Sequence, residues 1–371
     1  MKSYTLPDPE TARDIWRSLA EEERPLIVYG MGNGADKLLS VMEKKGLRPA
    51  DFVASDGFVR GQLFHGRRVL SFAEVREKYP SRVFLMAFGT SRPEVMEQIR
   101  ALSRSETLYL PDLPVAGDGI FDSEYYRVHG REFQAAYSAL ADDTSKNLYA
   151  ALLQYRLTAS AEILFDAATP REDAWRHLKP ERIRSYVDAG AYTGDTLREL
   201  LSLGAPLRSV LCIEPDRRNY AKLTAYAATL SSPRVNCVRA ALWREDAVGD
   251  FHGSGNRNAS LASSSYEAKE EEIPLAALDT LLDGAPPDYI KLDIEGAEKE
   301  ALLGASETIR RARPKIRVAV YHRVEDLFAL PLFLRTYCPD YDFYLRRTPC
   351  LPAWETDLIA VPREKGGQND A

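Results

Sequence analysis

Apolar positions along the chain follow two patterns. Short continuous apolar runs bounded by glycine, proline or charge read as buried strands, and apolar residues three and four apart read as helices. From residue 25 to about 120 the two patterns alternate. "PLIVYG" predicts a strand, "ADKLLSVMEKKG" a helix closed by Gly46 and "DFVASD" a second strand; "RVFLMAFG" predicts a third, before the helix "PEVMEQIRAL". Such alternation implies a parallel sheet with helices on its faces. Between about 122 and 180 the strand pattern stops. "SEYYRVHGREFQAAYSALADD" and "TSKNLYAALLQYRLTASAEILFDA" carry helical spacing, as at Leu148, Leu152 and Tyr155, and predict a helical connector.

Alternation returns at Arg184. Seven strand-like runs follow: "RSYVDAG", "SVLCIEP", "VNCVRAAL", "DYIKLDIEG", "KIRVAVYH", "YDFYLRR" and "TDLIAVP". Helices are expected at "DTLRELLS", "RNYAKLTAYAATL", "LAALDTLL", "AEKEALLGASETIRRA" and "VEDLFALPLFLRTY". The last two strands have no helix between them, so they should pair antiparallel. The expected fold class is α/β: a smaller Rossmann-like unit over 1–121, a helical connector over 122–180, and a seven-stranded Rossmann-like sheet of the class I methyltransferase type over 181–363. A polar tail, 364–371, is expected to be disordered.

Composition narrows the chemistry. The 371 residues are 45% hydrophobic and 28% charged, with a net charge of −6. That mild acidity argues against nucleic acid as a partner, since phosphate binding relies on clustered Lys and Arg. No apolar run reaches the roughly 18 residues that span a bilayer. "MKSYTLPDPETARDIW" lacks the apolar core of a signal peptide, so a cytoplasmic location is expected. Cys212, Cys237, Cys338 and Cys350 show no C-x-x-C spacing and are expected as reduced thiols without zinc.

In open α/β sheets, ligands bind beyond the carboxyl ends of the strands, and the acids fall there. Asp188, Gly190, Tyr192 and Gly194 follow the first strand of the larger sheet, and Asp195 and Thr196 open the next helix. Glu214, Pro215 and Asp216 follow the second strand, Asp293 and Glu295 the fourth, and His322 the fifth. The glycines let the backbone bend and pass close to a bulky ligand. A polyphosphate would want a basic loop, whereas this one holds Asp188 and Asp195. An acid-rich rim suits a cationic ligand, and a carboxylate at Glu214 can accept both hydroxyls of a ribose. S-adenosylmethionine carries a sulfonium, an ammonium and a ribose. Its adenine is expected near Ala240 and Ala241, under a Gly-, Ser- and Asn-rich loop between Asp246 and Glu272 that reaches the acceptor through Asn258 or Ser260.

From Tyr186 to about Pro362 the chain resembles the FkbM family of S-adenosylmethionine-dependent methyltransferases. The resemblance rests on "VDAGAYTGDT", "IEPDRRNYAKL", "LAALDTLL", "YIKLDIEGAEKEALLGA", "PKIRVAVYHRVEDL" and "ETDLIAV", which occur in the family's order. It implies methyl transfer to oxygen on a small acceptor such as a sugar, a nucleotide sugar or a secondary metabolite. A hydroxyl acceptor needs a base, and Asp293 and His322, with Glu295 beside them, are the candidates. Asp293, Glu295, Glu298 and His322 also form an oxygen and nitrogen set compatible with Mg²⁺ or Mn²⁺, although no metal is assigned. Homo-oligomerisation is left open.

A second motif lies near the N-terminus. In "VYGMGNGADKLL", Gly30, Gly32 and Ala35 match the dinucleotide fingerprint, with Asp56 as its ribose-binding acid. An oxidoreductase using nicotinamide through this unit, or a nucleotide-binding protein without catalysis, are therefore the rival readings.

Overall fold

A computed structural model describes residues 2–253 and 269–364. After helix α1 (Ile15–Ala20), a four-stranded parallel sheet forms from β1 (Leu26–Tyr29) and β2 (Asp51–Val53), joined by α2 (Asn33–Lys44). A small hairpin, β3 (Leu63–Phe64) and β4 (Arg67–Arg68), and α3 (Phe72–Lys78) precede β5 (Val83–Met86). Helix α4 (Pro93–Ser105) then leads to β6 (Leu108–Tyr109), and the sheet order is β2-β1-β5-β6. β1 and β5 are buried along their whole length, as continuous apolar runs in a sheet covered on both faces should be.

The connector forms five helices: α5 (Ser123–Val128), α6 (Gly130–Ala139), α7 (Asp143–Thr158), α8 (Ala161–Asp166) and α9 (Arg171–Leu178). Among these, α7 buries residues on all its faces. It packs on both sheets: the Tyr155 hydroxyl donates to Leu110 O (2.8 Å), and Arg156 donates to Asp112 Oδ2 (2.6 Å) and to Val324 O (3.0 Å).

The second half builds a seven-stranded sheet. β7 (Ser185–Ala189) is followed by α10 (Asp195–Ser202), β8 (Ser209–Ile213), α11 (Arg217–Ala227) and β9 (Arg234–Val238). A separate three-stranded sheet comes next, from β10 (Ala241–Leu242), β11 (Ala247–Gly253) and β12 (Lys269–Ala276). Then follow α12 (Leu278–Leu282), β13 (Tyr289–Leu292), α13 (Glu298–Leu303), α14 (Ser306–Ala312), β14 (Lys315–Ala319), α15 (Asp326–Tyr337), β15 (Tyr341–Arg347) and β16 (Thr356–Pro362). The order is β15-β16-β14-β13-β7-β8-β9, and the last two strands pair antiparallel as their spacing predicts. The mixed α/β class and the seven-stranded sheet are those expected.

Three details differ from the pattern-based reading. Much of the span between Asp246 and Glu272 that reads as a loop is strand, because β11 and β12 pair antiparallel from Ala247↔Leu275 to Gly253↔Lys269. The acidic run "KEEE" hides that strand, since Glu and Lys are depleted in strands generally. Asn258 and Ser260 lie outside the described residues, as do residues 365–371 of the tail. The stretch "AEKEALLGASETIRRA" is two helices rather than one, broken after Gly304. A Cβ at Gly304 would stand 2.1 Å from the Trp243 carbonyl oxygen, so this backbone packs against a neighbour. Finally, β2 ends at Val53, and Asp56 opens a separate 3-10 turn. Among the described residues, no helix is long and apolar enough to cross a membrane.

Candidate active site

The chain leaves β7 for β8 on one side and returns to place β13 on the other, so the sheet's switch point lies between β7 and β13. A cleft of about 250 Å³ opens there, beyond the strands' carboxyl ends. Gly190, Tyr192, Asp195, Thr196, Glu214, Pro215, Ala240, Ala241, Asp293 and Glu295 all line it, so ten of the predicted residues share one cavity.

The loop after β7 is conformationally special. Gly190 (φ 72°), Tyr192 (φ 47°) and Gly194 (φ 82°) all have left-handed backbone. A Cβ at Gly190 would lie 1.9 Å from Asp293 O. That glycine thus seats the loop against the end of β13, rather than clearing space for a ligand alone. Tyr192 is the exception that needs a cause, because a bulky side chain rarely adopts positive φ. Its amide provides one: it donates to Glu214 Oε2 at 2.8 Å.

Glu214, 6% exposed, is held from the other side by the Asp216 amide, which donates to Oε1 at 2.9 Å. Burial raises its pKa to about 7, against the opposing pull of these two N–H donors. Each carboxylate oxygen keeps a lone pair free to face the cleft. Asp216 instead caps α11, accepting from the Arg218 and Asn219 amides, and is not among the cleft's lining residues.

Asp188 also lies outside that lining. It is fully buried one residue below the strand end, and neither oxygen has a donor within hydrogen-bonding distance among the described residues. Desolvation raises its pKa to about 6, while Lys291, 3.6 Å from Oδ1, pulls it down. Strand register makes Asp188, Lys291 and Arg317 neighbours across β7, β13 and β14. Lys291 donates to Gly190 O (2.9 Å) and lies 3.7 Å from Asp293 Oδ2, so one buried ammonium ties the first loop to the end of β13. The sequence reading missed Lys291, whose signal was a charge inside the buried run "YIKLD".

Asp293 and Glu295 differ in electrostatics. The Asp293 side chain is 35% exposed, and the Tyr321 hydroxyl donates to its Oδ1 at 3.3 Å. Burial would raise its pKa, but Lys291, His322 and Arg317 together hold it below the ordinary value. Glu295, 17% exposed, sits in left-handed backbone (φ 55°). Burial lifts it to about 8; His322 pulls it down, while Asp293 and Glu298 push it up.

His322 is corrected by its position. It has no exposed surface, does not line the cleft, and its Nδ1 lies 2.8 Å from Glu298 Oε1. Nε2 faces Asp293 Oδ1 at 3.4 Å and Glu295 Oε2 at 3.7 Å. Burial alone would lower its pKa, but Glu298, with Glu295 and Asp293, raises it to about 10. An imidazolium at neutral pH cannot accept a proton, and three carboxyl groups, of Asp293, Glu295 and Glu298, surround this one. A folded pKa above the unfolded value of about 6.5 means that its stabilisation is complete below that pH and is lost as pH rises through about 10. Thermal melts of wild type and His322→Gln should therefore differ most below about pH 6 and converge towards pH 10.5; a constant gap would refute the buried imidazolium. Among the described residues, no group of three or more His, Cys, Asp and Glu side chains is arranged to hold a metal ion.

The rest of the wall comes from distant sequence. Ser91, Arg171, Arg317, Tyr321, Thr348 and Glu355 line the cleft, none of which the sequence reading singled out. Among the described lining residues, Asp195, Glu214, Asp293, Glu295, Glu355 and Asp357 face Arg171, Lys291 and Arg317, so acids outnumber bases.

The family model for the methyltransferase FkbM domain matches residues 188–345, which include the loop after β7 and the ends of β8, β13 and β14. The chain carries an FkbM methyltransferase domain. A crystal structure of a methyltransferase FkbM from Methylobacillus flagellatus KT matches at 23% identity, covering 96% of this chain and 94% of that one, with a TM-score of 0.68. The fold of the FkbM domain, the connector and the N-terminal sheet is thus shared with that protein. A precorrin-6y C5,15-methyltransferase from Geobacter metallireducens GS-15 matches at 13% identity, over 52% of this chain and 87% of that one, with a TM-score of 0.32. No curated protein sequence matches the chain.

Proposed function

We propose that the protein transfers the methyl group of S-adenosylmethionine to a hydroxyl oxygen of a small molecule, such as a sugar, a nucleotide sugar or a secondary metabolite, with Glu295 as the base. The observation that carries this reading is Glu214: a buried carboxylate at the end of β8, fixed by two amides with both oxygens still able to accept, inside the cleft of an FkbM domain. The donor set fits the cofactor. Glu214 can take the ribose hydroxyls, Asp195 and Asp293 provide negative charge for the ammonium and sulfonium, and Ala240, Ala241 and Leu242 offer small apolar surface for the adenine. No basic residue occurs from Gly190 to Thr196, which disfavours a polyphosphate there.

When bound, S-adenosylmethionine supplies a methyl group on a positively charged sulfur. The chain's own task is alignment and proton removal. Asp293 is pinned by Lys291 and Tyr321 and stays ionised, so it orients rather than accepts. Glu295, with its raised pKa, is the stronger proton acceptor once it ionises, towards pH 8 and above, and His322 lies beside it. Calorimetry with S-adenosylhomocysteine should give one-to-one binding in the micromolar range, roughly −8 kcal/mol. Labelled S-adenosylmethionine should then transfer its methyl to members of a panel of hydroxylated acceptors. Absence of binding heat together with absence of transfer overturns the reading.

A further inference from the structure

The N-terminal sheet has its own switch point. The chain leaves β1 for β2 on one side and returns to place β5 on the other. Beyond the carboxyl ends of β1 and β5 lies a cavity of about 260 Å³, as large as the methyl-transfer cleft. This is where an open parallel sheet binds ligands.

The cavity is polar at one end and apolar along its walls. At the polar end, α2 begins after Gly32 (φ 102°), which has no side chain of its own to cap the helix, and a helix N-terminus favours an anion. Lys37, in the same part of α2, lines the cavity. Its ammonium donates to two carbonyls, Val115 O (2.6 Å) and Pro114 O (3.3 Å), and keeps a third proton to give, while Glu295 acts on it through space without a hydrogen bond among the described residues. The walls are Met31, Met86, Phe88 and Trp354, a lining suited to a flat ring. The Trp354 Nε1 donor is buried and has no acceptor among the described residues. Asp56, which a dinucleotide's ribose would require, is not part of this lining.

Two strips of chain wall both cavities. Gly89 borders this crevice and Ser91 borders the cleft; Pro352 and Trp354 border this crevice, while Thr348 and Glu355 border the cleft. Thr90 and Leu351 join the strips through two backbone hydrogen bonds of 2.7 and 2.9 Å. A Cβ at Gly89 would stand 2.1 Å from the Trp354 ring, so the roof over this crevice is closely fitted.

We propose that this crevice binds the phosphate-bearing aromatic part of the methyl acceptor, with the phosphate at the start of α2 and Lys37 and the ring between Phe88, Met31 and Trp354. Only the word acceptor rests on the methyl-transfer reading; the ligand chemistry of the crevice stands without it.

The test is calorimetry on the full chain with uridine diphosphate, phenyl phosphate and inorganic phosphate, each with and without saturating S-adenosylhomocysteine. At least one aromatic phosphate should bind at least tenfold tighter than inorganic phosphate, and binding should survive saturation with S-adenosylhomocysteine. Lys37→Gln should weaken it at least tenfold, and Trp354→Phe, which keeps a ring but removes the donor, should weaken it severalfold. Undiminished S-adenosylhomocysteine binding by both variants certifies their folding. The tighter of the two aromatic ligands tells whether a nucleoside or a bare ring is read. No aromatic phosphate binding, displacement by S-adenosylhomocysteine, equal affinity for inorganic phosphate, or wild-type affinity in Lys37→Gln would each overturn the proposal. S-adenosylhomocysteine binding without aromatic phosphate binding defeats this inference alone, and the converse defeats only the methyl-transfer reading.

Discussion

Glu295→Gln should lower the rate of methyl transfer by about 10²–10⁴-fold, the usual contribution of a positioned proton acceptor, while leaving S-adenosylhomocysteine affinity within about threefold of wild type. The substitution keeps size and hydrogen bonding, so a loss in rate without a loss in binding isolates the proton-accepting role. The pH profile gives the sharper check. Burial, with Asp293 and Glu298 nearby, raises this carboxyl to about 8, and only its ionised form can take a proton. Wild-type kcat, measured with both substrates saturating so that the Glu214 titration does not enter, should therefore climb from pH 6 and level off above about 8, and the climb should vanish in Glu295→Gln. Asp293→Asn should also slow the reaction, but by loosening Lys291, so its residual activity should keep the climb. Turnover in Glu295→Gln within threefold of wild type, with an unaltered profile, would remove Glu295 from the mechanism.

What the sequence reveals about this site depends on how far apart its parts lie along the chain. The loop after β7, Glu214 and the Asp293–Glu295 turn were legible because each is a local event: a strand ends, the backbone turns through small residues, an acid stands at the exit. Strand ends of one parallel sheet share an edge, so those acids had to meet. What was not legible is set by depth and by long-range packing. Asp188 and Glu214 both read as acids at strand ends, yet two positions in the sheet register separate an acid beneath the floor from one at the rim. His322 looked poised near neutrality because no local pattern announces that Glu298, 24 residues earlier, lies 2.8 Å from its ring. Ser91 and Thr348 line one cleft from far apart in the chain, through a contact that only the packing of the N-terminal sheet against the β15–β16 connection creates. Lys291 was visible all along, since a lysine inside a buried strand must find partners. The glycine at 190 was read correctly as a requirement, but for a partly different reason: the neighbour it must clear is the protein's own Asp293 carbonyl.

Glu214→Ala should weaken S-adenosylhomocysteine binding at least about 100-fold, close to 3 kcal/mol, because it removes two kinds of interaction at once. The first is direct: hydrogen bonds from ligand hydroxyls to a carboxylate, each worth about 1.5–3 kcal/mol. The second is the loop. Without Oε2 the Tyr192 amide loses its acceptor, and with it a bond that offsets left-handed backbone at a bulky residue, which costs of order 1–3 kcal/mol. Glu214→Gln separates the two contributions. It keeps one oxygen able to accept but offers an amide group to the other donor, so its loss should fall between wild type and alanine. The pH dependence follows from the carboxyl's position. With a pKa raised to about 7 by burial, Glu214 is protonated in mild acid and then presents a donor where the ligand also brings donors. Wild-type affinity should fall as pH drops below about 7 and stay level above it, whereas Glu214→Ala should show no such step. Calorimetric titrations at pH 5.5, 7 and 8.5 on the three proteins decide the matter: affinity in Glu214→Ala within threefold of wild type would mean that the ligand does not rest on this carboxylate.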